Sequence, residues 1–190
     1  MKNFQLWFDF QENPFDEKGE LGLSWGRFGI RIDNQELFID SQTHQAGLEW
    51  NLIYFYEWLT SIFIEDIQPN PILFSDWESG VKYSAKAKKL LEDSETIEEE
   101  DQALKRWTWI ASKNIWNVGQ GIKTPSIFFV INPRENWVEI SWNNSENQEK
   151  GFDVLLSEIE LIDLTNFNSE VNYFTMSYHS KMKQIRKEED

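Results

Sequence analysis

Apolar and polar residues alternate at the start of the chain. Phe4, Leu6, Phe8 and Phe10 interleave with Gln5, Trp7, Asp9 and Gln11. A period of two puts the two sets on opposite faces of one edge or half-buried strand, and Asn13-Pro14 stops it. Asp16 to Glu20 reads as a charged turn. Alternation resumes at Phe28, Ile30 and Ile32, with Gly26 and Gly29 marking a bulge. Asp33-Asn34 turns the chain, and Leu37 to Ile39 returns as the second arm of a hairpin. Ser41 to Gly47 is a polar loop.

The pattern then changes period. In Glu49 to Pro71, Leu52, Phe55, Tyr56, Leu59, Ile62 and Phe63 recur at helical spacing. Ile53, Tyr54, Trp58 and Ile67 add apolar surface around the girth, so this helix, about 50–68, is expected to be buried in the core. Asn51 is its expected N-cap, and Pro69 and Pro71 end it. Ile72 to Phe74 reads as a short strand or a packing segment, and Ser75 to Gly80 as a loop. Tyr83 to Leu91 follows as a basic helix. Thr96-Ile97-Glu98-Glu99 has capping-box spacing and starts a helix with Ala103, Leu104, Trp107, Ile110 and Ala111 on one face. Glu98 to Asp101 complement its dipole.

Ile127 to Ile131 and Trp137 to Trp142 flank Asn132-Pro133-Arg134-Glu135-Asn136, the clearest hairpin in the chain. Val138, Ile140 and Trp142 share one face; Trp137, Glu139 and Ser141 share the other. Asn143 to Lys150 is a polar loop. Phe152 to Leu156 and Glu158 to Leu164 fit either strand or helix. Ser169 is placed as the cap of a last helix carrying Val171, Phe174, Met176 and Tyr178. The expected architecture is α+β: an antiparallel sheet of hairpins packed on the central helix, with two or three further helices. Residues 1–180 form a single domain and 181–190 a charged tail.

Composition adds a core and a field. Aromatics make up 15% of the chain, with ten Trp and fourteen Phe, enough to fill a core with large rings and to place one or two at an interface. The net charge of −15 repels a phosphate backbone. The basic clusters, Lys82 to Lys89 and Lys181 to Lys187, lie beside acidic runs. Direct nucleic-acid binding is therefore not expected, and the acidity fits solubility, a basic protein partner or imitation of nucleic-acid charge. With no Cys, disulfides and thiolate metal sites are excluded. The N-terminal stretch lacks the apolar segment of a signal peptide, and the central helix is too short and too interrupted by Glu57, Glu65 and Asp66 to span a bilayer. The expectation is a cytoplasmic protein that does not enter membranes.

Catalytic patterns are sparse. His44 and His179 are the only imidazoles, without metal-ligand spacing between them. No GxSxG elbow accompanies Ser24 or Ser141. Gly119-Gln120-Gly121 lacks the rest of a phosphate-binding fingerprint. No enzyme, metal or cofactor is expected.

Two segments carry a resemblance. The first is Phe28-Gly29-Ile30-Arg31-Ile32 with Leu48-Glu49-Trp50-Asn51-Leu52 through Trp58-Leu59 and Glu65-Asp66-Ile67-Gln68-Pro69. The second is Trp109 and Lys113-Asn114, Gly121 and Pro125, Phe128-Phe129-Val130 and Trp137 through Trp142. Their order resembles an N-terminal module of uncharacterised bacterial proteins. Some of these carry a downstream HExxH zinc-peptidase module of the phage-repressor-cleaving type, and some are associated with phage defence. Related sequences place an Arg-His pair where Lys113-Asn114, or Ser112-Lys113, stands here, and this chain holds no HExxH. Activity tied to either feature is not carried over.

The resemblance and the charge together imply a non-enzymatic acidic protein-binding module, a sensor, adaptor or inhibitor subunit in a bacterial or phage conflict system. Its partner would be another protein, basic or encoded by a neighbouring gene. The alternatives are an immunity protein or antitoxin neutralising a basic toxin, a nucleic-acid mimic and a cryptic hydrolase. Trp7, Arg134, Trp137 and Glu139, on the faces opposite the expected core, are the candidate contacts. The competing reading of these four is ordinary cross-strand pairing on a solvated face.

Overall fold

In a computed structural model, residues 2–65, 77–119 and 121–189 are described, with backbone only for 62–65 and 188–189. Strand β1 (Phe4–Phe10) pairs antiparallel with β2 (Trp25–Ile32) along its whole length, Phe4 opposite Ile32 and Phe10 opposite Gly26. The ladder is unbroken, so the bulge expected at Gly26 and Gly29 is absent. Gly29 instead leaves room for the Trp7 indole across the ladder, where a Cβ would collide with the ring. Beyond β2, β3 (Gln35–Glu36) pairs with one end and β5 (Leu48–Asn51) with the other. Asp33 and Asn34 both hold left-handed φ, 51° and 66°, as a two-residue hairpin turn with right-handed twist requires.

The chain then leaves this sheet. β4 (Phe38–Asp40) pairs with β8 (Phe152–Val154), and β6 (Ile127–Asn132), β7 (Trp137–Trp142) and β9 (Ile159–Asp163) form a third antiparallel sheet. Lys2 bridges Ile162 in parallel register, which ties the start of β1 to β9. Six helices lie among the described residues: α1 (Gly19–Leu23), α2 (Leu52–Glu65), α3 (Gly80–Glu92), α4 (Ile97–Ser112), α5 (Asn144–Glu149) and α6 (Leu164–Glu189). The fold is α+β with antiparallel sheets.

The core is an aromatic seam. Phe28 from β2 stacks on Phe55 from α2 with centroids 3.9 Å apart, and Phe174 from α6 meets Phe55 edge-on at 5.2 Å. Trp58 continues the seam to Phe129 of β6 at 5.4 Å. Leu52, Phe55 and Leu59 are buried as their spacing predicts, and Trp58 is buried with them, while Tyr56 of the same spacing set packs at the margin with Ile53 and Tyr54. On α6, Phe167, Val171, Phe174, Tyr178 and Met182 form one buried stripe.

Several boundaries differ from expectation. Leu48 to Asn51 is strand, because pairing with Trp25–Phe28 outcompetes an early helix start. Asn51 does not cap α2 with its side chain; its buried Oδ1 has no partner. Leu52 N–H instead donates to the Ser24 carbonyl at 2.7 Å. The expected end of that helix, its Ile67 and the Ile72–Phe74 segment fall outside the described residues, as do the Ile62 and Phe63 side chains. The capping box forms as read, with Thr96 and Glu99 exchanging bonds. Asn144 to Glu149, expected as loop, is a short helix capped by Asn143. The last helix begins five residues before Ser169, where Asp163 Oδ1 accepts from Thr165 and Asn166 N–H. It runs unbroken to Glu189, so the residues expected as a tail are helical. Met182 anchors them in the core, and Arg186 pairs with Glu20 of α1. Met176 faces outward, 73% exposed.

Two substitutions probe this core by urea unfolding. Phe55→Ala removes the centre of the seam and is expected to cost about 3–5 kcal/mol. Tyr178 is buried with its hydroxyl unpartnered, and burial pushes its phenol pKa up. Tyr178→Phe deletes an unsatisfied polar atom and is expected to stabilise the fold by about 1 kcal/mol; a loss of stability would show that the hydroxyl is bonded.

Candidate functional site

The four residues singled out in the sequence do not form one surface. Trp7 lies half-buried on the outer face of the first sheet, its Nε1–H donating to Glu36 at 2.9 Å and the Arg31 guanidinium 5.5 Å from its ring centroid. Arg134 is exposed at the turn between β6 and β7. Trp137 stands half-buried beside it and donates to Glu135 at 2.8 Å. Glu139 is only 2% exposed and cannot serve as a surface contact.

The physical reason is a second layer. Helices α3 and α4 cover the outer face of β6 and β7, and Tyr83, Ala87, Ile110, Phe128 and Val130 form a small core there, edged by Trp77, Trp107 and Trp109. Glu139 Oε1 accepts from the Gly80 N–H at 2.7 Å and Oε2 from Trp77 Nε1 at 2.8 Å. It therefore binds the first turn of α3, where the helix leaves N–H groups unpaired. A Cβ on Gly80 would press on Phe128 and the Ser141 hydroxyl, so glycine is what lets the helix sit this close. Burial pushes the Glu139 carboxyl up, against the lowering effect of its bonds to Gly80, Trp77 and Ser141.

Neither imidazole lies in a described pocket. His44 is exposed in its loop at φ 55°, and His179 is exposed on α6, its Nε2 3.0 Å from the Tyr56 hydroxyl. Among the described residues no three His, Asp or Glu side chains cluster as a metal site would need, and no helix is long and apolar enough to cross a membrane. A pocket of about 270 Å³ gathers Arg27, Lys123 and Lys150 with Asp40 and Glu49. Two of those cations are already paired, Arg27 with Glu49 at 2.6 Å and Lys150 with Glu146 at 2.7 Å.

The feature with unspent binding capacity is the outer edge of β1. Gln11 N–H donates to the Trp25 carbonyl and Asp33 N–H to the Asn3 carbonyl. With the register of the ladder, these bonds aim the backbone groups of the odd-numbered residues at β2 and those of Phe4, Leu6, Phe8 and Phe10 outward. Helix α6 runs alongside in the same direction, Phe167 against Phe4, Phe174 against Phe8 and Tyr178 against Phe10. Its Asn166 Oδ1 accepts from Phe4 N–H at 2.9 Å, and its Glu170 Oε2 from Leu6 N–H at 3.2 Å.

One turn further the seal ends. Tyr173, Ser177, Ser180, Lys181 and Gln184 continue the same flank of the helix, but they stand off from the strand across a groove of about 540 Å³. Among the described residues none accepts from Phe8 or Phe10 N–H. Tyr173 is 66% exposed at the groove and Met176 lies one turn on. Sequence reading missed Asn166 and Glu170 because it began the helix at Ser169. The spacing Phe167, Val171, Phe174, Tyr178 carried the earlier start, and the polar residue preceding each of Phe167 and Val171 marked the sealing flank.

An α+β protein with an open strand edge beside a long helix, and no metal-ligating cluster among its described residues, is the class these features define. The chain belongs to a family of unknown function, DUF5984, whose match spans residues 11–189. No curated protein and no solved structure matches it.

Glu139→Ala tests the structural role of the buried carboxylate. It strands the Gly80 and Trp77 donors and is expected to cost about 2–4 kcal/mol. The raised pKa means that the folded chain binds the proton more tightly than the unfolded one. This group's contribution is therefore full below the ordinary carboxylate range and falls as pH climbs through the raised value. The gap between parent and variant in urea unfolding should narrow across that window; a gap that widens would contradict the assignment.

Proposed function

We propose that this chain is a non-enzymatic protein-binding module, a sensor, adaptor or inhibitor subunit of a bacterial or phage conflict system. The observation that carries the reading is the half-sealed edge of β1, with Tyr173 exposed at its open part and Met176 exposed one turn on along α6. Unpaired backbone groups next to large exposed side chains supply both directional bonds and apolar area, which is what a protein interface uses. The conflict-system context rests on the sequence resemblance. The net charge of −15 favours a basic partner, and the immunity-protein reading is the case in which that partner is a toxin. Association would then be fast at low salt and slow at high salt.

The test is direct binding to purified products of the neighbouring genes. Tyr173→Ala with Met176→Ala is expected to weaken the complex at least tenfold. Folding stability should stay within about 0.5 kcal/mol, since both side chains face solvent. A chain that binds none of these products, singly or together, would overturn the reading.

A further inference from the structure

We infer that the open half of the β1 edge accepts an extended, net basic segment of a partner protein, which adds as a further strand between Phe8–Phe10 and the Tyr173–Gln184 flank of α6. The inference rests on the protein-binding reading and specifies how that binding is made.

Three observations carry it. The first is hydrogen-bonding capacity. Outward N–H groups at Phe4 and Leu6 are bonded to α6 side chains, whereas those at Phe8 and Phe10 face the groove without acceptors. A peptide strand supplies acceptors and donors at the same two-residue repeat.

The second is shape. The helix stays packed on the strand through Phe174 on Phe8 and Tyr178 on Phe10, but beyond Glu170 its Tyr173, Ser177 and Ser180 flank borders a groove of about 540 Å³ along Phe8 to Phe10. An added strand lies about 4.8 Å from its neighbour, which would bring one of its side chains against the Tyr173 ring.

The third is charge, which selects the occupant. Within the groove Asp9 and Lys181 offset each other, so the bias comes from the whole chain, which carries −15. A second copy would bring an equal charge to the same edge and be repelled. A basic segment is attracted.

The experiment selects peptides of about eight residues, enough to run the length of such an edge, from a displayed random library. Selection is on the intact chain, with counter-selection on Ser177→Trp, which fills the groove from a half-buried position on the helix flank. Ser180→Trp, at an exposed position lining the same groove, serves if the first variant folds poorly. Enriched peptides should be net basic with apolar residues at alternate positions and should lose at least tenfold in affinity for the filled-groove variant. Amide exchange at Phe8 and Phe10 should slow at least tenfold on binding, with Phe4 and Leu6 unchanged. Failure to enrich any sequence, enrichment of acidic sequences, or binding that leaves Phe8 and Phe10 exchanging freely would each overturn the inference. So would self-association of the chain that protects those two amides, which would make the occupant a second copy. If a neighbouring gene product binds through Tyr173 and Met176 while both amides still exchange freely in that complex, strand addition falls and the protein-binding reading stands.

Discussion

Phe55 is the contact on which the arrangement depends. Its ring lies flat on Phe28 of the first sheet and takes the edge of Phe174 from α6, while Trp58 one turn on reaches the third sheet through Phe129. Structural units spread along the sequence from Phe28 to Phe174 thus share one aromatic cluster. Aromatic pairs prefer offset or edge-on geometries, so the cluster fixes orientation as well as proximity. With Phe174 and Tyr178 held against α2 and the first sheet, the neighbouring flank of α6 has to run along the edge of β1. The groove follows from the core.

The second layer on β6 and β7 changes how the most conspicuous hairpin must be read. Ile127 to Ile131 is apolar at every position, and β6 is buried on both faces, as expected of a strand covered from both sides. Its partner β7 alternates, which suggests one solvated face. Glu139 and Ser141 occupy that face, yet both are buried because they serve the N-terminus of α3. A carboxylate can sit there because its oxygens accept from Gly80 and Trp77. Polarity along β7 therefore reported on a helix terminus and said nothing about solvent.

What was legible in the sequence follows the range of the interactions concerned. Strands β1, β2, β6 and β7, the Asp33-Asn34 turn, the Thr96 capping box and the burial of Leu52, Phe55 and Leu59 are set by neighbours within a few residues, and their patterns announce them. Leu48 to Asn51 was hidden because its strand state depends on pairing with Trp25 to Phe28, which no local period encodes. Helix α6 was shortened because Ser169 is a better cap by type than Leu164, whereas the cap in use is Asp163, a residue that ends a strand. Of the candidate contacts, Arg134 is exposed and Trp7 and Trp137 are half-buried, whereas Glu139 lies under α3. The residues lining the groove were out of reach, since they are defined by a helix and a strand more than 160 positions apart.

The charge and the open edge belong to one physical argument. A strand edge with unpaired N–H groups is a template for pairing with any extended chain, including another copy of itself. This protein closes part of its edge with Asn166 and Glu170 and leaves the rest open beside exposed Tyr173. Open backbone with apolar flanks would be an aggregation hazard on a neutral protein. At a net charge of −15, two copies repel before their edges meet, and screening confines that protection to ordinary or low salt. The same field does not oppose a cationic chain. Acidity here need not be recognised residue by residue to matter. It filters which extended segments can approach an edge that the backbone alone would offer to all of them.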